Sequence, residues 1–294
     1  MPSESPLQVQ DACGSFRATS TLRIGQSKIE TGTPMRAKVS GLLIALVSGA
    51  ASAESPAWIE TAYYAFESAK AIGASSAGSH ALVQKAYGMP ALPLDLGVAT
   101  GVPISALSID GADVYFATKV SWRMDDALVT PRDVVKIASG GGATIFLRGS
   151  DMGLPPSVRM ASLSVRGSEV LFSIDVHAQL GALSVRPSDV LSWNGATLEL
   201  SYGANDVGIP DTTKLVGIER TGGGGLLMAF DSAATINGVA LSPGDLIEYL
   251  PSAGAWGRAR SRSNLGLECS PCDLTAIAAD TDSETVFRNG LEAH

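Results

Sequence analysis

The sequence predicts an all-β chain: a small β-propeller-like repeat domain of four four-stranded units, or of five if the chain ends form a sheet of their own. Two markers recur on one period. Pro131-Arg132-Asp133, Pro187-Ser188-Asp189 and Pro243-Gly244-Asp245 are spaced by 56 residues. Asp151-Met152-Gly153-Leu154-Pro155 matches Asp206-Val207-Gly208-Ile209-Pro210, with weaker copies at Asn264-Leu265-Gly266-Leu267 and Asp95-Leu96-Gly97-Val98. The glycines of these four copies are spaced by 56, 55 and 58 residues. Independent markers on one long period indicate repeated supersecondary units. Composition agrees, because a 17% charged fraction and 32 glycines suit many short strands and turns.

Each copy reads as four strands. In the second, 105–109 is followed by a turn at Asp110-Gly111-Ala112-Asp113, then by 114–120, a longer loop, 133–137 and 144–148. The third repeats this at 161–165, 170–176, 189–193 and 197–202. β-Branched and aromatic residues fill the strands, while Gly, Asn, Asp and Ser fill the turns. Phe116, Phe172 and Met228, again spaced by 56, predict one core position reused in successive units. The units fall near 56–104, 105–159, 160–214 and 215–273, with a closing hairpin at 274–288. The first copy lacks an opening strand, and the surplus strand Leu274-Thr275-Ala276-Ile277-Ala278-Ala279 would complete it, closing a ring and removing two free edges. A linear solenoid or a barrel are the alternatives; a solenoid would need polar caps at its ends.

Residues 35–53 have the pattern of a secretory signal peptide. Met35-Arg36-Ala37-Lys38 is positive, 41–47 is apolar but too short to span a bilayer, and Ala51-Ser52-Ala53 supplies small residues before a cut. Residues 1–34 read as an upstream extension without periodicity, and 54–294 as the mature repeat domain. Removing the first 53 residues leaves 16 Lys+Arg against 26 Asp+Glu, a formal charge of −10. That balance disfavours nucleic-acid and polybasic membrane binding. No later segment is apolar enough to cross a membrane as a helix. Cys269 and Cys272 are the cysteines of the mature chain, and an oxidising compartment favours a disulfide between them. Unpaired thiols and a redox pair are the other readings; the redox pair lacks the helix N-terminus that lowers a thiol pKa.

The tail Phe287-Arg288-Asn289-Gly290-Leu291-Glu292, together with the Asp-containing turns into strands, resembles secreted β-repeat proteins of Gram-negative bacteria that end in a Phe-x-Asn-Gly-Phe-Glu motif. Leu291 stands where that motif has Phe. The resemblance implies export and repetition; it assigns no activity and no catalytic residue.

Asp133, Asp189 and Asp245 are the candidate metal ligands, since carboxylates around an axis could hold calcium, which takes six to eight oxygens. An Asp after Pro-x also accepts backbone N–H bonds in a turn, and recurrence at one offset favours that role. Asp125-Asp126 could join them. Gly222 to Gly225 lacks the Lys-Ser/Thr of a phosphate loop and reads as a hairpin turn, as does Gly140-Gly141-Gly142. His80, His177 and His294 have no nucleophile elbow beside them. Arg258, Arg260 and Arg262 alternate, so they would share one strand face as an anion-binding patch or a protective strand edge. Trp58, Trp122, Trp193 and Trp256 could offer a sugar platform, but they fall at unequal places in the units. No catalytic residues and no cofactor beyond a calcium ion are predicted. The expected function is an exported, non-catalytic binding or interaction module for a glycan or protein ligand. A propeller-type hydrolase with a calcium or carboxylate site and a structural envelope protein are the alternatives.

Overall fold

A computed structural model describes residues 59, 61–72, 75–86, 90–139, 141–221, 224–261, 263 and 273–280, and none of these is helical. The signal segment, Cys269, Cys272, Arg262, Trp58 and the 281–294 tail lie outside the described residues.

Twenty-four strands follow one another among the described residues. The first group comprises β1 (Thr61–Phe66), β2 (Lys70–Ile72), β3 (Ser75–Ala77), β4 (Ala81–Ala86) and β5 (Leu92–Asp95). The second comprises β6 (Ile104–Asp110), β7 (Asp113–Thr118), β8 (Trp122–Met124), β9 (Ala127–Val129), β10 (Val134–Ile137) and β11 (Ala143–Leu147). The third comprises β12 (Met160–Arg166), β13 (Glu169–Ile174), β14 (Ala178–Leu180), β15 (Leu183–Val185), β16 (Val190–Trp193) and β17 (Leu198–Tyr202). The fourth comprises β18 (Leu215–Arg220), β19 (Leu226–Phe230), β20 (Ala234–Ile236), β21 (Val239–Leu241), β22 (Leu246–Leu250) and β23 (Ala255–Arg260). The last strand is β24 (Leu274–Asp280).

The second, third and fourth groups each form a four-stranded antiparallel meander, as in the order β6-β7-β10-β11. The first copy is completed by the end of the chain: β24 pairs antiparallel with β1 from Thr61↔Asp280 to Phe66↔Leu274, giving the order β24-β1-β4-β5. A single parallel bridge, Gly217↔Ile277, joins β18 to β24 and links the fourth group to the first in one sheet order. Gly217 suits that approach, since a Cβ there would lie 2.9 Å from the Ile277 carbonyl oxygen.

One element was not foreseen. The long loop after the second strand carries its own hairpin in every group: β2–β3, β8–β9, β14–β15 and β20–β21.

Alternation of side chains across each strand supplies two apolar faces, and successive groups pack face to face. Ala65, Leu82 and Ala276 of the first group meet Leu107, Phe116 and Val135 of the second. Tyr115, Ala117 and Val134 on the other face of the second meet Leu163, Phe172 and Leu191 of the third. Leu171 and Val190 meet Ile218, Met228 and Ile247 of the fourth. Val216, Leu227 and Leu246 of the fourth meet Tyr64, Val83 and Ile277 of the first. The reused core position is real: Phe116, Phe172 and Met228 are each fully buried, and Tyr64 holds the same place on β1. Each such side chain contributes roughly 1.5–3 kcal/mol by burial.

Two marker glycines lie in the loops that follow the fourth strands. Gly153 (φ 75°) and Gly208 (φ 77°) adopt left-handed backbone that side-chain-bearing residues rarely adopt. They turn the chain so that Leu154 and Ile209 are buried between neighbouring groups.

A candidate binding cavity at the start of the inner strands

The inner strands β6, β12, β18 and β24 run side by side, and equivalent positions on them form layers. Ser105, Ala161, Val216 and Thr275 form one layer, and these four line a cavity of about 60 Å³. Three cations, Lys119, Arg159 and Lys214, complete its wall together with Asp175, Met160 and Leu274. Lys119 immediately follows β7, a place held by Glu67 after β1, Asp175 after β13 and Asp231 after β19. Arg159 and Lys214 immediately precede β12 and β18.

Strand pairing determines who meets whom at this mouth. Arg159 donates from its backbone N to Asp175 Oδ1 (2.9 Å) and from Nε and Nη2 to Asp175 Oδ2 (2.6 Å each). Lys214 N reaches Asp231 Oδ1 at 3.0 Å, with its Nζ 3.9 Å from Oδ2. Lys119 pairs with Glu67 of the first group, and Lys70 holds Asp273 at 2.8 Å. The Lys119 ammonium is held below its usual pKa by burial and by the nearby charges of Lys214 and Arg159. On the floor, Ser105 and Thr275 are each 5% exposed, and neither hydroxyl has a hydrogen-bond partner.

Three residues further along the same strands lies a second polar layer of Ser108, Ser164, Glu219 and the apolar Ala278. Glu219 is 2% exposed. Its Oε1 accepts from Ser164 Oγ (2.9 Å) and the Arg220 amide (3.1 Å), and its Oε2 from Ser108 Oγ (3.4 Å). Arg166 Nε stands 3.9 Å away. Burial dominates, and the carboxyl is pushed up to about 8.

The structure distributes the sequence-predicted residues differently. Asp133, Asp189 and Asp245 are buried in turns. Asp133 Oδ2 accepts from Thr130 N at 2.8 Å and Arg148 Nη1 at 3.1 Å, while its Oδ1 accepts from Gly149 N at 2.9 Å. Asp189 accepts from Arg186 N and Ala204 N, each at 2.8 Å, and Asp245 from Ser242 N at 2.7 Å. Each carboxylate thus secures the turn into the third strand; Asp133 and Asp189 also anchor the end of the fourth. Among the described residues, no group of three or more His, Cys, Asp or Glu is arranged to hold a metal ion. Asp189→Ala leaves two backbone donors unsatisfied, a loss of roughly 2–4 kcal/mol. The expected drop in melting temperature is the same with calcium or with chelator; a drop that calcium enlarges would return the aspartate to a metal role.

Arg258 and Arg260 fall on β23, an edge strand, while Arg262 lies beyond it. Asp125 and Asp126 make the tip of the β8–β9 hairpin. Trp256 Nε1 donates to the Val207 carbonyl at 2.7 Å, and the ring packs 5.0 Å from that of Tyr249. Trp193 and Trp122 pack against separate apolar clusters, so these three form no common platform. His80 precedes β4, and His177 Nε2 lies 3.0 Å from Ser184 Oγ on an exposed hairpin.

No family model and no curated protein matches this chain. Solved structures similar to it include YCF48 bound to D1 peptide, with 14% identity, TM-score 0.26, and 63% of this chain and 62% of that one covered. Streptogramin B lyase follows at 12% identity and TM-score 0.28, with 60% and 50% covered. PorZ, a bacterial surface component of the type-IX secretion system of Porphyromonas gingivalis, has 11% identity and TM-score 0.31, with 63% and 23% covered. The chain spans less than two thirds of each.

Proposed function

We propose that this chain is an exported, non-catalytic binding module: a propeller-like ring of four units, closed by β24, that takes its ligand at the cavity between the starts of the inner strands. The observation that carries the binding reading is the cavity floor, where all four inner strands contribute one position and two buried hydroxyls lack partners. Buried polar groups are almost always hydrogen-bonded, so two unpaired hydroxyls on residues that line a cavity invite a ligand or ordered solvent. The ring is supported by the fourth apolar interface. In a linear solenoid the outer faces of the first and last units stay uncovered, whereas Val216, Leu227 and Leu246 pack on Tyr64, Val83 and Ile277. Export is supported by residues 35–53 alone, and N-terminal sequencing of the secreted chain is expected to begin at Glu54. Among the described residues no helix is long and apolar enough to cross a membrane.

Glycan and peptide arrays probed with residues 54–294 test the binding reading. Ligands are expected to be captured, and Ala161→Leu, which fills the cavity from its floor, is expected to abolish capture while the melting temperature holds. Thr275→Val, which removes a floor hydroxyl at nearly unchanged volume, is the second variant should Ala161→Leu misfold. An array without hits, or hits retained undiminished by either folded variant, would refute the site.

A further inference from the structure

We infer that the cavity receives an oxyanion: a single carboxylate, phosphate or sulfate group held by Lys119, Arg159 and Lys214 and seated on the hydroxyls of Ser105 and Thr275. This rests on the reading of the cavity as the binding site and names the chemistry of its ligand.

Charge placement argues for it. Lys119, Arg159 and Lys214 all line the cavity, whereas Glu67 and Asp231, which pair with the two lysines, do not. Asp175 does line it, but both its oxygens are taken by Arg159. The space therefore faces three cations and one carboxylate, and the counter-charges of the two lysines lie elsewhere. The floor supplies donors of the matching kind. A hydroxyl gives one O–H and rotates to suit its partner, so Ser105 Oγ and Thr275 Oγ1, buried without partners, each have a hydrogen to give. Bonds from donors to charged acceptors are the strong class, and burial strengthens them.

Size narrows the ligand. A cavity of about 60 Å³ has room for a few waters or one small group. Net charge excludes a polyanion. The chain carries a formal charge of −8, so extended phosphate chains are repelled at a distance, while one group sunk among three cations is not. Lys119 is also the exception among equivalent positions, a cation where the other three groups carry acids. With an acid there as well, Arg159 and Lys214 would be the only cations in the wall.

Calorimetry of residues 54–294 with inorganic phosphate, sulfate and acetate, against chloride at equal ionic strength, tests the inference. A saturable heat of one site is expected, with a Kd on the order of 1 mM for so small a group. Acetate binding more weakly than phosphate would assign a phosphate or sulfate terminus, and the reverse a carboxylate. Lys119→Met is expected to weaken binding at least tenfold, and Ser105→Ala several-fold with the melting temperature held. Chloride-like heats for all three anions, or equal binding by a folded Lys119→Met chain, would overturn the oxyanion. If array ligands were still lost on Ala161→Leu in that case, the binding cavity would stand and only its ligand chemistry would fall. Silence in both experiments would remove both readings.

Discussion

A chain ending at Asp273 is expected not to unfold cooperatively at all. β24 pairs with β1 along its length. Its side chains divide between two apolar clusters: Ile277 and Ala279 join the contact of the fourth group with the first, while Ala276 and Ala278 join that of the first with the second. Removing the strand strips the β1 backbone of its partner and uncovers Tyr64 and Phe66. Together these losses are comparable to the roughly 5–15 kcal/mol by which a domain is stable. Far-ultraviolet circular dichroism with thermal melting reads the result. Ile277→Asp is a milder form: a charge at a position 2% exposed should destabilise by roughly 4 kcal/mol or more. Adding a peptide of residues 274–280 to the truncated chain should restore part of the transition, because an exposed strand edge accepts a matching strand. A truncated chain that still melts cooperatively near the intact temperature would show β24 to be peripheral and would remove the proposed ring.

Glu219→Gln is expected to stabilise the protein above neutral pH and to flatten its stability profile. The raised pKa means that the folded state keeps a proton on Glu219 which the unfolded state releases. From about pH 4.5 to about 8 the folded state therefore binds more protons, and unfolding free energy falls as pH rises. The contribution is fully present below the unfolded-state value and is gone once pH passes the folded one. The span amounts to a few kcal/mol at about 1.4 kcal/mol per pH unit. Gln occupies the same volume without the ionisation, and its carbonyl can accept from the Ser164 hydroxyl while its amide donates to that of Ser108. Wild type and variant should therefore agree near pH 5 and diverge toward pH 8.5, with the variant higher, in urea unfolding at each pH. Parallel profiles would mean that Glu219 is not buried as a neutral acid.

Much of the fold was legible from residue spacing. The recurring Pro-x-Asp turns, the marker glycines and the Phe116, Phe172, Met228 series identified the period, the four strands of each copy and one shared core position. Even the completion of the first copy by Leu274 to Ala279 could be read, because a surplus strand at one end and a missing strand at the other leave few arrangements with paired edges. The extra hairpins were overlooked although one carried a clear signal. Asn237-Gly238, with both φ angles positive, is the dipeptide that a two-residue hairpin demands. Its three-residue strands fell below the length at which alternation can be recognised.

The cavity was harder to read. Lys119, Asp175 and Asp231 keep the period, so the odd cation was visible in the aligned copies; the same holds for Ser108, Ser164 and Glu219. What one copy could not tell was which face of its first strand points toward the other three. That depends on the packing of four separate segments, brought together from positions more than 50 residues apart. Local patterning thus determined the strands, the turns and the turn role open to Asp133, Asp189 and Asp245, because hydrogen-bonding offsets and side-chain alternation are properties of neighbouring residues. Only the tertiary structure decided that Ser105 and Thr275 share a floor, that three cations converge on it and that Glu219 loses its water, because burial and long-range charge are properties of what surrounds a residue once the chain is packed.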